Sequence, residues 1–222
     1  MKISDYAFLS DSQSSALVGR DGSIDWYCLP RFDSPSVFAR LLDGKAGHWF
    51  VRPAGEFETE RSYVGHSLVL RSVFRTNTGS AALTDALMFE PGSRGHEIGK
   101  RVPHVLLRCV EGLRGEVGME MEFSPRFEYG LTDPRFRASD GGWHAVGGAV
   151  DLELASSVET RCRGGRIRAR FTIRAGERAC FSLAYRRSYC GEPPEKIDAE
   201  ASIVSRSEDR KSTRLNSSHS SP

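Results

Sequence analysis

The stretch over residues 20–39 reads RDGSIDWYCLPRFDSPSVFA and carries more specific local signals than any other part of the sequence. Its Asp21-Gly22 step lies between the apolar runs 16–18 and 24–26. An Asp-Gly step accommodates the positive φ angles of a tight turn, so it predicts a β-hairpin here. Leu29-Pro30 should then end the second strand, because proline cannot donate a hydrogen bond to a neighbouring strand.

A short helix is predicted directly after this hairpin, over residues 34–42. In Asp33-Ser34-Pro35, Ser34 would cap free backbone N–H groups and Pro35 would fit the first helical position. Apolar residues then repeat at helical spacing and would give the helix one apolar side: Val37, Phe38, Leu41 and Leu42. Gly44 is a plausible end point.

Most of the remaining sequence alternates between apolar and polar residues, which is typical of strands with one buried face. The pattern is clearest over residues 117–123, 150–154 and 166–173, and less regular over residues 68–75, 81–89, 105–110 and 179–185. Turn signals separate them at residues 76–79, 140–142, 164–165 and 175–177. The sequence therefore predicts an all-β fold, a large antiparallel two-sheet β-sandwich over residues 1–192.

A row of arginines lies on one face of a predicted strand: Arg166, Arg168, Arg170 and Arg174. Glu120 and Glu122 lie on another strand and could face this row. This arrangement favours a solvated charged surface over a site for an anionic ligand.

The C-terminal part changes in character. Ile197, Ala201 and Val204 have helical spacing, so residues 193–208 are predicted to begin a linker helix. Residues 209–219 read DRKSTRLNSSH, which resembles the codon-for-codon translation of a common sequencing adapter, and residues 209–222 are predicted to be an adapter-derived disordered tail. The alternative is a natural serine-rich disordered tail. That tail carries three cationic and one anionic side chains, which account for the whole net charge of +2. We therefore predict no nucleic-acid partner.

Several other classes of site are disfavoured. No apolar run approaches the roughly 20 residues of a membrane helix, and the N-terminus lacks a signal-peptide core, so we predict a cytoplasmic protein without a membrane partner. The five cysteines form no C-x-x-C pair, which predicts small buried thiols rather than a zinc site or a disulfide framework. The sequence has no phosphate-binding glycine loop, and we predict no cofactor and no metal.

Residues 5–43, DYAFLSDSQSSALVGRDGSIDWYCLPRFDSPSVFARLLD, resemble the start of the trehalase-like N-terminal domain of bacterial glycoside hydrolase family 15, which includes trehalases, glucoamylases and related α-glucosidases. The similarity continues through these segments: GHSLVLRSVFRTNTG (65–79), TDALM (84–88), LRCVEGLRGEV (107–117), PRFEYG (125–130) and IDAEAS (197–202).

The resemblance implies a β-sandwich that precedes a six-hairpin α/α barrel, connected to it by the linker helix. The family is inverting, and its catalytic acid and base lie in the barrel. It follows that no residue of this chain would be catalytic, that the parent protein would act on an α-glucoside, and that the barrel would be the intramolecular partner. The alternative is a stand-alone carbohydrate-binding or structural sandwich without hydrolase activity.

Candidate site residues cluster within the opening stretch. Asp25 and Asp33 are carboxylates, but a role in fixing loops is favoured over catalysis. The aromatic residues Trp26, Tyr27 and Phe32 suit a core or an interface better than sugar stacking.

Arg31 suits either a bidentate contact to a carboxylate or sugar, or a salt bridge that holds the loop. We predict that Arg31, Phe32 and Asp33 form a face that meets the barrel near the mouth of its active site.

Overall fold

The computed structural model describes residues 2–89, 99–100 and 102–189, and within these ranges the all-β prediction is confirmed. A 3-10 turn over Ile3–Asp5 precedes the first strand, and one further turn covers Phe127–Gly130. The strands are β1 Ala7–Ser10, β2 Ser15–Val18, β3 Ser23–Cys28, β4 Ser36–Phe38, β5 His48–Pro53, β6 Glu58–Tyr63, β7 Leu70–Arg75, β8 Gly79–Leu87, β9 Val105–Ser124, β10 Arg135–Ser139, β11 Gly142–Gly147, β12 Val150–Ser156, β13 Arg161–Arg163, β14 Arg166–Arg174 and β15 Arg178–Arg187. The predicted linker helix and tail lie outside the described residues.

The strands form two antiparallel sheets that share the long strand β9. Sheet A has the order β13-β14-β9-β5-β3-β2-β1, with β4 added beside β3, and uses residues 116–124 of β9. Sheet B has the order β6-β7-β8-β9-β15-β12-β11-β10 and uses residues 105–115 of β9. The two strands predicted over residues 105–110 and 117–123 are thus halves of a single strand.

One hydrophobic core lies between the two sheets. A single cluster of buried side chains includes Trp49 and Phe123 from sheet A and Leu83 and Phe181 from sheet B. Alternation along the strands explains the arrangement: in β9, Met119, Met121 and Phe123 are buried while the residues between them are directed to the other face. The two-sheet sandwich is therefore confirmed.

The predicted charged face is also confirmed. In sheet A, Arg168 of β14 lies opposite Glu122 of β9, and Arg170 lies opposite Glu120. Salt bridges join Arg168 Nε to Glu122 Oε2 at 2.7 Å and Arg174 Nε to a Glu116 oxygen at 3.0 Å. Cross-strand pairs of opposite charge stabilise an antiparallel ladder, so this face is built from matched pairs.

The short helix predicted over residues 34–42 is wrong. Ser36–Phe38 form strand β4, which pairs with β3 through Tyr27 opposite Phe38 and Cys28 opposite Ser36. All three residues of β4 are buried. The Ser34 hydroxyl accepts a hydrogen bond from the Arg31 N–H at 3.2 Å, so it closes a turn with the preceding loop and caps no helix.

The prediction about cysteines also needs a correction. Cys109 of β9 and Cys180 of β15 lie directly opposite each other and form a disulfide. Cys28 is buried and free, as predicted, whereas Cys162 is exposed. The prediction of small buried thiols is therefore wrong for Cys109 and Cys180.

The hairpin predicted at Asp21-Gly22 is confirmed, because it joins β2 to β3 with Gly22 at φ +73°. The Gly19 N–H donates to the Ser23 carbonyl at 2.7 Å and closes the turn. The Val51 N–H donates to the Gly22 carbonyl at 3.2 Å and ties the turn to β5.

Gly22→Ala is expected to destabilise the protein by roughly 2–3 kcal/mol, because an alanine at positive φ is strained and its Cβ would overlap the Val51 carbonyl oxygen. Gly141→Ala is the matched control, since Gly141 also has positive φ, +91°, but no atom lies within 4 Å of the added Cβ. Urea unfolding of both variants measures the difference. Equal losses for the two variants would contradict the account of the Gly22 contact.

Candidate functional site

The loop between β3 and β4, residues 29–35, is here called the signature loop. Leu29 is buried, and the Leu29–Pro30 peptide bond is cis. The Phe32 N–H donates to the Gln13 carbonyl at 2.8 Å, which ties the loop to the β1–β2 turn. The Phe32 side chain is nevertheless 65% exposed, so the backbone of the loop is held while its aromatic ring is presented to solvent.

Arg31 and Asp33 form an ion pair within the signature loop. Arg31 Nε lies 3.0 Å from Asp33 Oδ1, and both side chains are more than half exposed. Of the two roles considered for Arg31, the structure therefore shows the salt bridge within the loop. An exposed pair of this kind contributes about 0–1 kcal/mol, so the fold depends little on it.

Asp25 is the buried acid of this region. Its carboxylate accepts hydrogen bonds from Tyr6 Oη at 2.8 Å and Ser23 Oγ at 2.6 Å, and it pairs with Arg40 Nε at 2.8 Å. Burial, and then the hydrogen bond to Asp25, raise the pKa of the Tyr6 hydroxyl well above its ordinary value. The Asp25 carbonyl also accepts the Leu41 N–H at 3.1 Å, so Asp25 fixes the loop after β4 onto β3, as the structural interpretation predicted.

The same outer face of sheet A continues as a network of arginines and carboxylates. Arg52 bridges Asp21 at 3.3 Å and Glu120 at 3.0 Å. Glu122 contacts both Arg166 at 2.8 Å and His48 at 3.1 Å.

Electrostatic pairing outweighs burial at Glu122. Burial raises the pKa of this carboxyl, but the hydrogen bond from Arg168 and the charges of Arg166 and Arg168 outweigh burial and hold the pKa below its ordinary value. Arginine thus favours the ionised form of Glu122.

His48 provides a test of this electrostatic description. Burial, and then the neighbouring Arg40 guanidinium, lower the pKa of His48 from its ordinary value of 6.5, although Glu122 and Asp25 oppose the shift. Because the unfolded chain then binds the proton more readily, this contribution to stability is present above pH 6.5 and is lost as pH falls below that value.

The urea midpoint should therefore decrease from about pH 7.5 to about pH 5.5, and His48→Gln should reduce the decrease. Part of the decrease should remain, because burial also lowers the pKa of His104. His66→Gln, at an exposed position, is the control, and its urea midpoint should decrease with pH as much as that of the wild type. A urea midpoint that decreases with pH in His48→Gln as much as in the wild type would contradict the prediction.

The three aromatic residues of the opening stretch occupy different environments. Tyr27 is fully buried and stacks on Phe38 at a centroid distance of 6.3 Å, so it belongs to the core. Trp26 is partly buried and faces Tyr129 at 6.3 Å. Tyr27 is thus a core residue, whereas Trp26 and Phe32 both reach the surface.

Sequence reasoning missed a fully buried ion pair beneath the hairpin. Arg108 of β9 contacts Asp85 of β8 at 2.8 Å, and both side chains are 0% exposed. The Arg108 guanidinium also donates to the carbonyls of Gly22 and Trp49, each at 2.6 Å, and lies over the Trp49 ring. Burial raises the pKa of the Asp85 carboxyl, and Arg108 offsets part of that rise.

This ion pair links sheet B to the hairpin and β5 of sheet A. A signal was available in the sequence, because Asp85 and Arg108 each lie within a largely apolar run, residues 81–88 and 105–110.

Two further structural findings concern other classes of site. Within residues 2–89, 99–100 and 102–189, no three His, Cys, Asp or Glu side chains are arranged to hold a metal ion. None of the helical segments in these ranges is long and apolar enough to cross a membrane.

Together, the fold and the site define an antiparallel β-sandwich domain with an exposed, tethered loop. Four of its buried acids pair with arginine: Asp25, Asp85, Glu122 and Asp151. Comparison with known proteins gives the family. Residues 1–160 match the family described as "Trehalase-like, N-terminal", and the chain belongs to it.

Relatives include a trehalase of Mycobacterium tuberculosis, 32% identical over 90% of this chain and 32% of that protein. A trehalase of Mycolicibacterium smegmatis is 32% identical over 82% of this chain and 30% of its own length. Trehalase 1 of Sulfolobus acidocaldarius is 35% identical over 61% of this chain and 21% of its own length. The chain thus spans about a third of the length of the first two relatives.

Proposed function

We propose that this chain is the non-catalytic N-terminal domain of a family 15-like glycoside hydrolase that acts on α-glucosides, trehalose or maltooligosaccharides, with inversion. The observation that carries the proposal is the family match over residues 1–160 together with relatives that are named trehalases. In this proposal the acid and the base belong to a catalytic α/α barrel that follows the sandwich in the parent protein.

The role of the sandwich is to support that barrel through Arg31, Phe32 and Asp33. Three properties of the signature loop favour this role. Its backbone is hydrogen-bonded to Gln13, its ion pair contributes little to the stability of the fold, and its Phe32 ring is exposed. Rigidly held loops with exposed aromatic and charged side chains are typical of contact surfaces.

The position of the loop relative to the last strand also supports the proposal. Gln13, which accepts from Phe32, also donates through Nε2 to the Gly99 carbonyl at 2.6 Å. A few residues later, the His104 carbonyl accepts the Tyr185 N–H of β15 at 3.1 Å. The loop and the end of β15 are therefore directed to the same end of the sandwich, where the next domain would begin.

The test uses the full-length protein with Arg31→Ala and Asp33→Ala combined. The expected result is a decrease in kcat/KM of about tenfold, because the loop would no longer keep the barrel in its correct position against the sandwich. The free energy of unfolding of the sandwich should change by less than about 1 kcal/mol, as for other exposed pairs.

The matched control removes Arg75 and Glu60, an exposed pair at 2.7 Å between β6 and β7, and should leave the kinetics unchanged. If the Arg31 and Asp33 variant alters neither the kinetics nor the cooperativity of unfolding, the signature loop is ordinary scaffold and its proposed role is wrong.

A further inference from the structure

The chain leaves the described part of the sandwich at a defined place. After β15, the Ser188 N–H donates to the Ala149 carbonyl and Ser188 Oγ donates to the Gly148 carbonyl, both at 2.9 Å. The neighbouring Gly147 packs so closely on the Phe127 ring that no Cβ would fit between them. The exit of the chain therefore lies beside the turn Phe127–Gly130.

This turn has an unusual backbone. Three consecutive residues have positive φ: Glu128 at 53°, Tyr129 at 59° and Gly130 at 94°. Residues other than glycine rarely adopt this conformation, and they keep it only where the surroundings enforce it. Here Phe127 and Thr132 exchange two backbone hydrogen bonds, of 2.9 and 3.1 Å, and close the turn.

The enforced turn presents an aromatic ring to solvent. Tyr129 is 49% exposed and lies beside the partly buried Trp26 at a centroid distance of 6.3 Å. Leu131, two residues later, is 83% exposed, and Tyr189, next to the anchored Ser188, is 69% exposed. Three of the ten large hydrophobic residues that are exposed in the described part of the chain thus lie around the exit, where a monomeric domain gains no stability from them.

We propose that Trp26, Tyr129, Leu131 and Tyr189 form the docking surface for the domain that follows residue 189 in the full-length protein. This inference rests on the proposed function, because it requires such a domain. The occupant follows from position, since the chain beyond Tyr189 begins at this surface and the trehalases that it resembles are about three times as long as the matched region. Aromatic side chains on rigid turns are the usual energetic centres of such interfaces.

Tyr129→Gly in the full-length protein is the test, because glycine removes the ring and suits the positive φ at this position. In calorimetry, docked domains unfold in one coupled transition, and Tyr129→Gly should split it into two. Tyr129→Phe keeps the ring and should keep the coupled transition.

Leu113→Ala, which truncates an apolar side chain of similar exposure in the middle of β9, should also keep the coupled transition. In the 222-residue chain, Tyr129→Gly should leave the thermal midpoint unchanged or raise it.

Three results would overturn the inference. The first is a single coupled transition in full-length Tyr129→Gly. The second is a lower thermal midpoint of Tyr129→Gly in the 222-residue chain, which would show that the ring stabilises the sandwich itself. The third is binding of maltoheptaose to this chain that is lost in Tyr129→Gly while domain coupling is kept, which would make the surface a sugar platform. If the Arg31 and Asp33 variant lowers kcat/KM while Tyr129→Gly has no effect, only the docking surface is wrong and the proposed function stands.

Discussion

Arg108→Ala is expected to lower the free energy of unfolding by about 3–5 kcal/mol, because it leaves the Asp85 carboxylate buried without a partner. The Arg108 guanidinium also satisfies the carbonyls of Gly22 and Trp49, so its removal leaves two further buried acceptors without that donor. Single domains are stable by only about 5–15 kcal/mol, so the variant should be largely unfolded at moderate urea concentrations. Urea unfolding followed by tryptophan fluorescence measures the loss.

Two comparisons make this result specific to the buried pair. Arg75→Ala removes one partner of the exposed pair with Glu60 and should cost less than about 1 kcal/mol. The double variant Arg108→Leu with Asp85→Leu should be more stable than Arg108→Ala, because no unpaired charge remains in the core. A loss of under about 1 kcal/mol in Arg108→Ala would show that Arg108 does not hold the two sheets together.

The sequence predicted the elements whose causes are local. The hairpin at Asp21-Gly22 follows from backbone chemistry at two adjacent residues, and the strands follow from alternation. The charged face was predictable because alternation along β9 and β14 fixes which side chains share a face, and opposite charges on that face can pair.

The incorrect helix shows where local signals are overruled. Ser34-Pro35 is a good start for a helix, and residues 37–42 have a short helical period. Yet Val37 and Phe38 are both buried, while Leu42 is 69% exposed. Pairing of β4 with β3 buries consecutive residues on both sides of the strand, which a helix with one apolar side would not do. The tertiary contact with β3 therefore outweighed the capping preference.

Contacts between distant residues explain the features that the sequence did not predict. The Cys109–Cys180 disulfide depends on the register of β9 against β15 and joins residues 71 positions apart. The Arg108–Asp85 pair depends on the register of β8 against β9, and the hydrogen bonds from Arg108 to Gly22 and Trp49 depend on the approach of the two sheets. The positive φ of Glu128 and Tyr129 is enforced by the closed turn, and residue type alone gives no sign of it.

The buried carboxylates of the described chain are expected to support no glycoside hydrolysis. Hydrolysis with inversion needs a protonated acid and an ionised base about 6.5–9.5 Å apart on opposite sides of the substrate. Here Asp25 pairs with Arg40, Asp85 with Arg108, and Asp151 with Arg186. Each of these three carboxylates is thus occupied by an arginine guanidinium, whereas a general acid and a general base must both face the substrate.

The central claim, that this sandwich is a non-catalytic domain of a glycoside hydrolase, is tested most directly by a paired assay of turnover. The purified 222-residue chain and the full-length protein are each incubated with trehalose, maltose and an aryl α-glucoside. The full-length protein is expected to release glucose or phenol, and the 222-residue chain is expected to release neither. Activity that co-elutes with the 222-residue chain and is lost in Asp25→Asn would contradict the central claim.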